Sequence, residues 1–162
     1  MRVNKIKEFD TANGIGISCT VFFQGCIHHC PYCFNKETWD FNGGVEFTEE
    51  IQQEFINKCK SKYVSSISIL GGDPFNQPAN ELLEFLKQLH ELNKQVFLWT
   101  GYKFENIPNP YRECLNYIDV LIDGEFQEDK KDLSLRFAGS TNQRVIDVKK
   151  TLKSNEIILF TY

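Results

Sequence analysis

Three cysteines, Cys26, Cys30 and Cys33, fall within the stretch FFQGCIHHCPYCFN (Phe22 to Asn35), beside His28 and His29. Thiols crowded into one loop suit a shared metal better than they suit one another, so they read as ligands. The spacing CxxxCxxC supplies three thiolates, and no fourth cysteine lies close by to complete a Cys₄ set. Structural zinc requires a closed tetrahedral shell, whereas an iron–sulfur cluster with three protein ligands leaves one iron open to an outside ligand. Three ligands therefore point to catalysis. A zinc site completed by one histidine is the competing reading, as is a plain iron–sulfur electron carrier. Outside such a site, His28 and His29 are expected as loop residues near the surface, facing a partner or an electron donor. Cys19, Cys59 and Cys114 stand singly and read as small buried hydrophobes.

Composition narrows the setting. The chain has 162 residues and a net charge of −4, from 22 acidic and 18 basic side chains. No overall positive field is available to recruit a polyanion, so nucleic acid is not an expected partner. With 41% hydrophobic and 25% charged residues it reads as an ordinary globular chain, one domain over residues 1–162. The opening MRVNKIKEFD lacks the apolar core of a secretory signal. Apolar runs such as IILF fall far short of the roughly 18 residues that span a bilayer. The expectation is a cytoplasmic protein with no membrane partner, where a reducing milieu favours metal binding over disulfides.

The elements that position the cysteines follow from periodicity. CTVFFQG (Cys19 to Gly25) is β-branched and aromatic and stops at glycine, the pattern of a first strand that delivers the cysteine loop. Thr48 can cap a helix with Glu49 and Glu50 in its first turn, and Ile51, Phe55 and Cys59 recur every four residues on one face. SSISILGG (Ser65 to Gly72) reads as a strand, Asn80 to Asn93 as a helix with a wide leucine stripe, and QVFLWTGY (Gln95 to Tyr102) as a third strand. Pro108 and Pro110 keep any helix before Tyr117 short. IDVLIDG (Ile118 to Gly124) makes a fourth strand, and a long polar loop follows. RVIDV (Arg144 to Val148) and EIILF (Glu156 to Phe160) are two further short strands.

Strands alternating with helices imply βαβ units and a mainly parallel sheet with right-handed crossovers. The loops ending strands one to four would then meet at the carboxyl end of the sheet, where ligands bind. A closed eight-stranded barrel takes about 250 residues. The expected fold is thus α/β, an open, incomplete (β/α) barrel of five to six mainly parallel strands, whose open side can admit a loop of another protein.

CxxxCxxC after a first strand, with Tyr32 just before the last cysteine, resembles the cluster motif of the radical S-adenosylmethionine superfamily, and ILGGDP after the second strand resembles its glycine-rich methionine-binding element. Within that superfamily the chain is similar to the glycyl-radical activating proteins of the anaerobic ribonucleoside-triphosphate reductase. The residues that carry this are NGIG (Asn13 to Gly16), GCIHHCPYCFNKETW (Gly25 to Trp39), GGDP (Gly71 to Pro74), WTGY (Trp99 to Tyr102), DVLIDGEF (Asp119 to Phe126) and RFAGSTNQR (Arg136 to Arg144). The family's pattern has a proline in the first of these and an arginine soon after, where this sequence has Ile15 and Ile17.

The resemblance implies that Cys26, Cys30 and Cys33 hold a 4Fe-4S cluster whose fourth iron binds S-adenosyl-L-methionine. It implies reductive cleavage of that cofactor to a 5′-deoxyadenosyl radical and installation of a glycyl radical on the reductase's large subunit, with a flavodoxin or ferredoxin as electron donor. Gly71 and Gly72 would let the strand-end backbone approach the methionine moiety. Asp73 would either accept a bond from that ligand or cap the next turn. Tyr32 and Phe34 would shield the cluster and lie near the adenine. Thr100 and Tyr102 would line the pocket, with turn chemistry at Gly101 the competing explanation of WTGY. RFAGSTNQR reads as a polar loop shaping the site or the reductase interface.

Overall fold

Every residue of strand β2 (Ser18–Phe23) is buried, which marks it as a central strand covered on both faces. The computed structural model describes residues 1–161. Its other strands are β1 (Arg2–Asp10), β3 (Val45–Glu46), β4 (Ser66–Gly71), β5 (Gln95–Trp99), β6 (Val120–Asp123) and β7 (Arg144–Asp147), and its helices are α1 (Glu49–Cys59), α2 (Ala79–His90) and α3 (Val148–Ser154). They form one sheet in the order β3-β1-β2-β4-β5-β6-β7, open at both edges. The four central strands β2, β4, β5 and β6 are parallel, and β1, β3 and β7 are antiparallel additions.

Alternation along the parallel strands sorts two faces. Cys19, Val21, Phe23, Ile67, Ile69, Val96, Leu98 and Leu121 join the large core beneath the helices. Leu82, Phe85, Leu86 and Leu89 of α2 fill that core, each burial stabilising by about 1.5–3 kcal/mol. Phe23, Phe47 and Phe85 meet there edge to face, with centroids 5.2–6.2 Å apart. Helix α1 starts where the sequence indicates, with Thr48 Oγ1 accepting from the Ile51 N–H at 3.4 Å.

The opposite face is the inside of the open barrel. Phe97, Val120 and Ile122 make a small second core there with Phe137. At the amino end, Ser66 Oγ donates to Ile15 O (2.9 Å) and Ser68 Oγ to Asn13 O (3.1 Å), so the Asn13–Gly16 turn plugs the barrel floor. Gly14 has φ +93°, and a Cβ there would lie 2.4 Å from Ser18 Oγ. Only glycine fits.

Seven strands stand where the pattern indicates five or six. β1 escapes it because exposed charged residues break its alternation, and β3 is only two residues long. EIILF is not a strand: it runs beside β7 with one bridge, Ile146 to Leu159, and α3 precedes it, capped by Asp147 Oδ1 accepting from Lys150 N–H. Cys19, Cys59 and Cys114 are fully buried, as expected of small apolar residues.

Candidate functional site

The ends of β2, β4, β5 and β6 converge as the order of elements requires. A hollow of about 120 Å³ is lined by Cys26, Cys30 and Cys33, by Gly71 and Gly72 after β4, by Thr100 and Gly101 after β5, and by Gly124 and Phe126 after β6. It shares Cys33, Leu70, Trp99 and Phe126 with a cavity of about 540 Å³ over the inner face, roofed by residues 132–139. That is the size of a small-molecule site. Trp99 Nε1–H donates to Phe137 O at 2.8 Å, tying this roof to β5.

The cysteine loop is fastened at its base. Gly25 N–H donates to Thr38 O (2.7 Å), Cys26 N–H to Trp39 O (3.2 Å) and Ile27 N–H to Asn76 Oδ1 (3.0 Å). His29 and Tyr32 adopt left-handed φ of 47° and 59°, which turns the chain twice within the motif. Cys26 is buried, while Cys30 and Cys33 are half-buried. Burial, followed by the negative charge of Asp73, pushes the Cys26 thiol up to about 11. Burial first, with Glu125 and Cys33 adding to it, raises Cys30 as well.

Asp73 is the centre of the polar network. Its carboxylate is fully buried and accepts from Phe75 N–H (2.9 Å), Thr100 Oγ1–H (2.8 Å), Gly101 N–H (2.9 Å) and His28 Nε2 (2.9 Å). It caps the turn at Pro74–Asn76 and lies behind the hollow rather than in its lining. Thr100 does line the hollow, with its hydroxyl committed to Asp73. Gly71 and Gly72 line it too, but their first steric need is internal. A Cβ at Gly71, where φ is +115°, would lie 2.4 Å from Phe23 N, and one at Gly72 would lie 2.2 Å from Gly25 O.

Two expectations shift. Tyr32, at a left-handed φ of 59°, is 79% exposed and lies outside both linings. Phe34 lines the larger cavity and packs on Phe126 at 5.0 Å. His28 is not a surface residue. Its side chain is 8% exposed and bridges Asp73 to Glu125, with Nδ1 2.9 Å from Glu125 Oε1. Burial pulls its pKa down, but the two carboxylates outweigh that and hold it above the ordinary value. His29 stacks on Trp39 at 4.7 Å.

Spacing could not reveal His28, since its partners lie 45 and 97 residues away. Gln143 was visible only as part of RFAGSTNQR. It accepts from Gly139 N–H and donates to Gly124 O, both at 2.8 Å, so it fastens the roof to the end of β6.

The donor set fits an iron–sulfur cluster. Three thiols line one hollow, and thiolates are the ligands such clusters take. Both ring nitrogens of His28 are engaged, so the competing three-cysteine, one-histidine zinc site lacks that donor.

The class of protein follows from this site on an open α/β sheet, together with a family profile described as "4Fe-4S single cluster domain" that matches residues 12–146. Three relatives, each named "Anaerobic ribonucleoside-triphosphate reductase-activating protein", align over most of their length. The Salmonella typhi protein is 37% identical over 150 residues, covering 90% of this chain and 97% of its own. That of Pasteurella multocida (strain Pm70) is 40% identical over 142 residues, covering 83% and 89%. That of Enterobacteria phage T4 is 34% identical over 149 residues, covering 90% and 93%. Among solved structures, "Crystal structure of QueE from Escherichia coli" overlaps with a TM-score of 0.48 at 14% identity, covering 75% of this chain and 70% of that one. The chain belongs to the anaerobic ribonucleoside-triphosphate reductase-activating protein family.

Proposed function

We propose that this chain is a radical S-adenosylmethionine oxidoreductase that installs a glycyl radical on an anaerobic ribonucleoside-triphosphate reductase. The observation that carries this reading is the set of three thiols lining one hollow at the junction with a cavity large enough for a nucleoside-sized cofactor. When bound, the cluster supplies the electron that cleaves S-adenosylmethionine to methionine and a 5′-deoxyadenosyl radical, which takes a Cα hydrogen from a glycine of the reductase.

The chain's own residues provide position and enclosure. Cys26, Cys30 and Cys33 would hold the cluster, and Gly71, Gly72 and Thr100, which line the same hollow, would receive the amino-acid end of the cofactor. Phe34, Trp99 and Phe126 wall the adjoining cavity with apolar surface, which keeps water from the reacting carbon. The sheet is not closed, so a loop of the reductase can reach that cavity from the open side. The partners in this reading are the reductase and a flavodoxin- or ferredoxin-type donor, met in the cytoplasm. No helix among the described residues is long and apolar enough to cross a membrane.

The test is anaerobic reconstitution with iron and sulfide, followed by S-adenosylmethionine, a reductant and the reductase. The expected result is 5′-deoxyadenosine together with a glycyl-radical resonance on the reductase, and neither from Cys30→Ala. 5′-Deoxyadenosine without a glycyl radical would point to a different protein substrate. No cleavage at all would overturn the reading.

A further inference from the structure

We infer that His28 is a positioning residue that locks the cysteine loop onto the strand ends, and that its two oppositely directed ring nitrogens are what the fold uses. The inference rests on the reading of Cys26, Cys30 and Cys33 as cluster ligands. His28 lies two residues from both Cys26 and Cys30, so whatever fixes its ring fixes the course of the loop between them. Nε2 meets Asp73 Oδ2 and Nδ1 meets Glu125 Oε1, each at 2.9 Å. Asp73 follows β4 and is bonded to Thr100 and Gly101 after β5, while Glu125 follows β6. One side chain thus couples the loop after β2 to the ends of the other three parallel strands.

The surroundings are shaped to the ring. A Cβ on Gly101 would lie 2.5 Å from His28 Cδ2, so that glycine leaves the space the imidazole fills. Tyr102 closes another side, edge to face at 4.7 Å and 78°. The lock also answers a local need. The left-handed residues His29 and Tyr32 strain the loop, and such strain persists only where tertiary contacts over-determine the conformation. A chain-terminal amide such as glutamine presents its N–H groups from one atom and cannot span the two carboxylates as imidazole does.

The experiment compares the full-length parent with His28→Ala, Gly101→Ala and Glu125→Ala after anaerobic reconstitution. It reads iron and sulfide retained per chain through gel filtration, the midpoint potential of the cluster, and far-ultraviolet circular dichroism of the unloaded protein. Glu125 is more than half exposed, so its truncation leaves folding intact. Gly101→Ala displaces the ring without altering it. Loss of an outer hydrogen-bond partner lowers metal affinity by about 10–100-fold. His28→Ala and Gly101→Ala should fall in that range with a more negative midpoint potential, because the His28 and His29 backbone donors to the Cys26 sulfur move with the released loop and such donors favour the reduced cluster. Glu125→Ala should lie between them and the parent, with its dichroism unchanged. Parental iron retention and potential in Glu125→Ala and Gly101→Ala would overturn the inference. A parent that holds its cluster but leaves S-adenosylmethionine uncleaved would overturn the proposed function and leave this inference standing.

Discussion

Asp73 shows how one buried carboxylate can organise a site without entering it. Its two oxygens take bonds from the 74–76 turn, from the end of β5 and from the cysteine loop. Asp73→Ala would leave the Thr100 hydroxyl and the Gly101 N–H without their acceptor, at about 1–3 kcal/mol for each group that water cannot reach. Chemical denaturation of the unloaded protein should therefore show a large loss for Asp73→Ala and a smaller one for Asp73→Asn, which keeps an acceptor oxygen. At this scale the convergence of the three thiols on one hollow was legible because they lie close together in sequence. Asp73 was legible as a cap, through the Asp-Pro pair. Its other roles were not, because Thr100 and His28 come from distant segments and no local pattern encodes them.

Among the elements, the junction of β5, β6 and β7 is held by charge. Arg144 Nε donates to Asp123 Oδ1 at 3.0 Å, and its Nη2 also contacts Asp123 Oδ2 and lies 2.7 Å from Glu105 Oε2. Bonding to Arg144 lowers the Glu105 carboxyl from 4.5 to about 2. A depressed carboxyl contributes stability that is complete above its unfolded value and lost as pH falls through its folded one. Acid titration of stability should lose part of its slope between pH 4.5 and about 2 in Glu105→Gln. A matching element-level outcome concerns the ends of β2 and β4. Gly71→Ala meets both a positive φ and the backbone of Phe23, and the strain alone costs about 1–3 kcal/mol, so its thermal midpoint should drop clearly. The parallel strands and α1 and α2 were readable because apolar periodicity is strong where an element is buried. β1 and α3 were not. β1 is largely exposed and charged along its length, and α3 is a single short helix whose β-branched start resembles a strand.

For the whole molecule, the order of the elements turns four separate loops into one site, and the open sheet leaves that site reachable from the side. The order was legible in sequence. The roof was legible only in part, through RFAGSTNQR: residues 132–135 carry no periodic signal, and the roof is held by Phe137 on Phe97 at 5.3 Å and by the Trp99 bond. Phe137→Ala should loosen this cover and raise the KM for S-adenosylmethionine more than it lowers kcat, measured as 5′-deoxyadenosine release under a chemical reductant. The most direct test of the site concerns the cluster iron that the proposed set of three cysteines would leave open. The electron paramagnetic resonance spectrum of the reduced, reconstituted protein should change when S-adenosylmethionine is added. A spectrum identical with and without it would contradict the presence of that open iron.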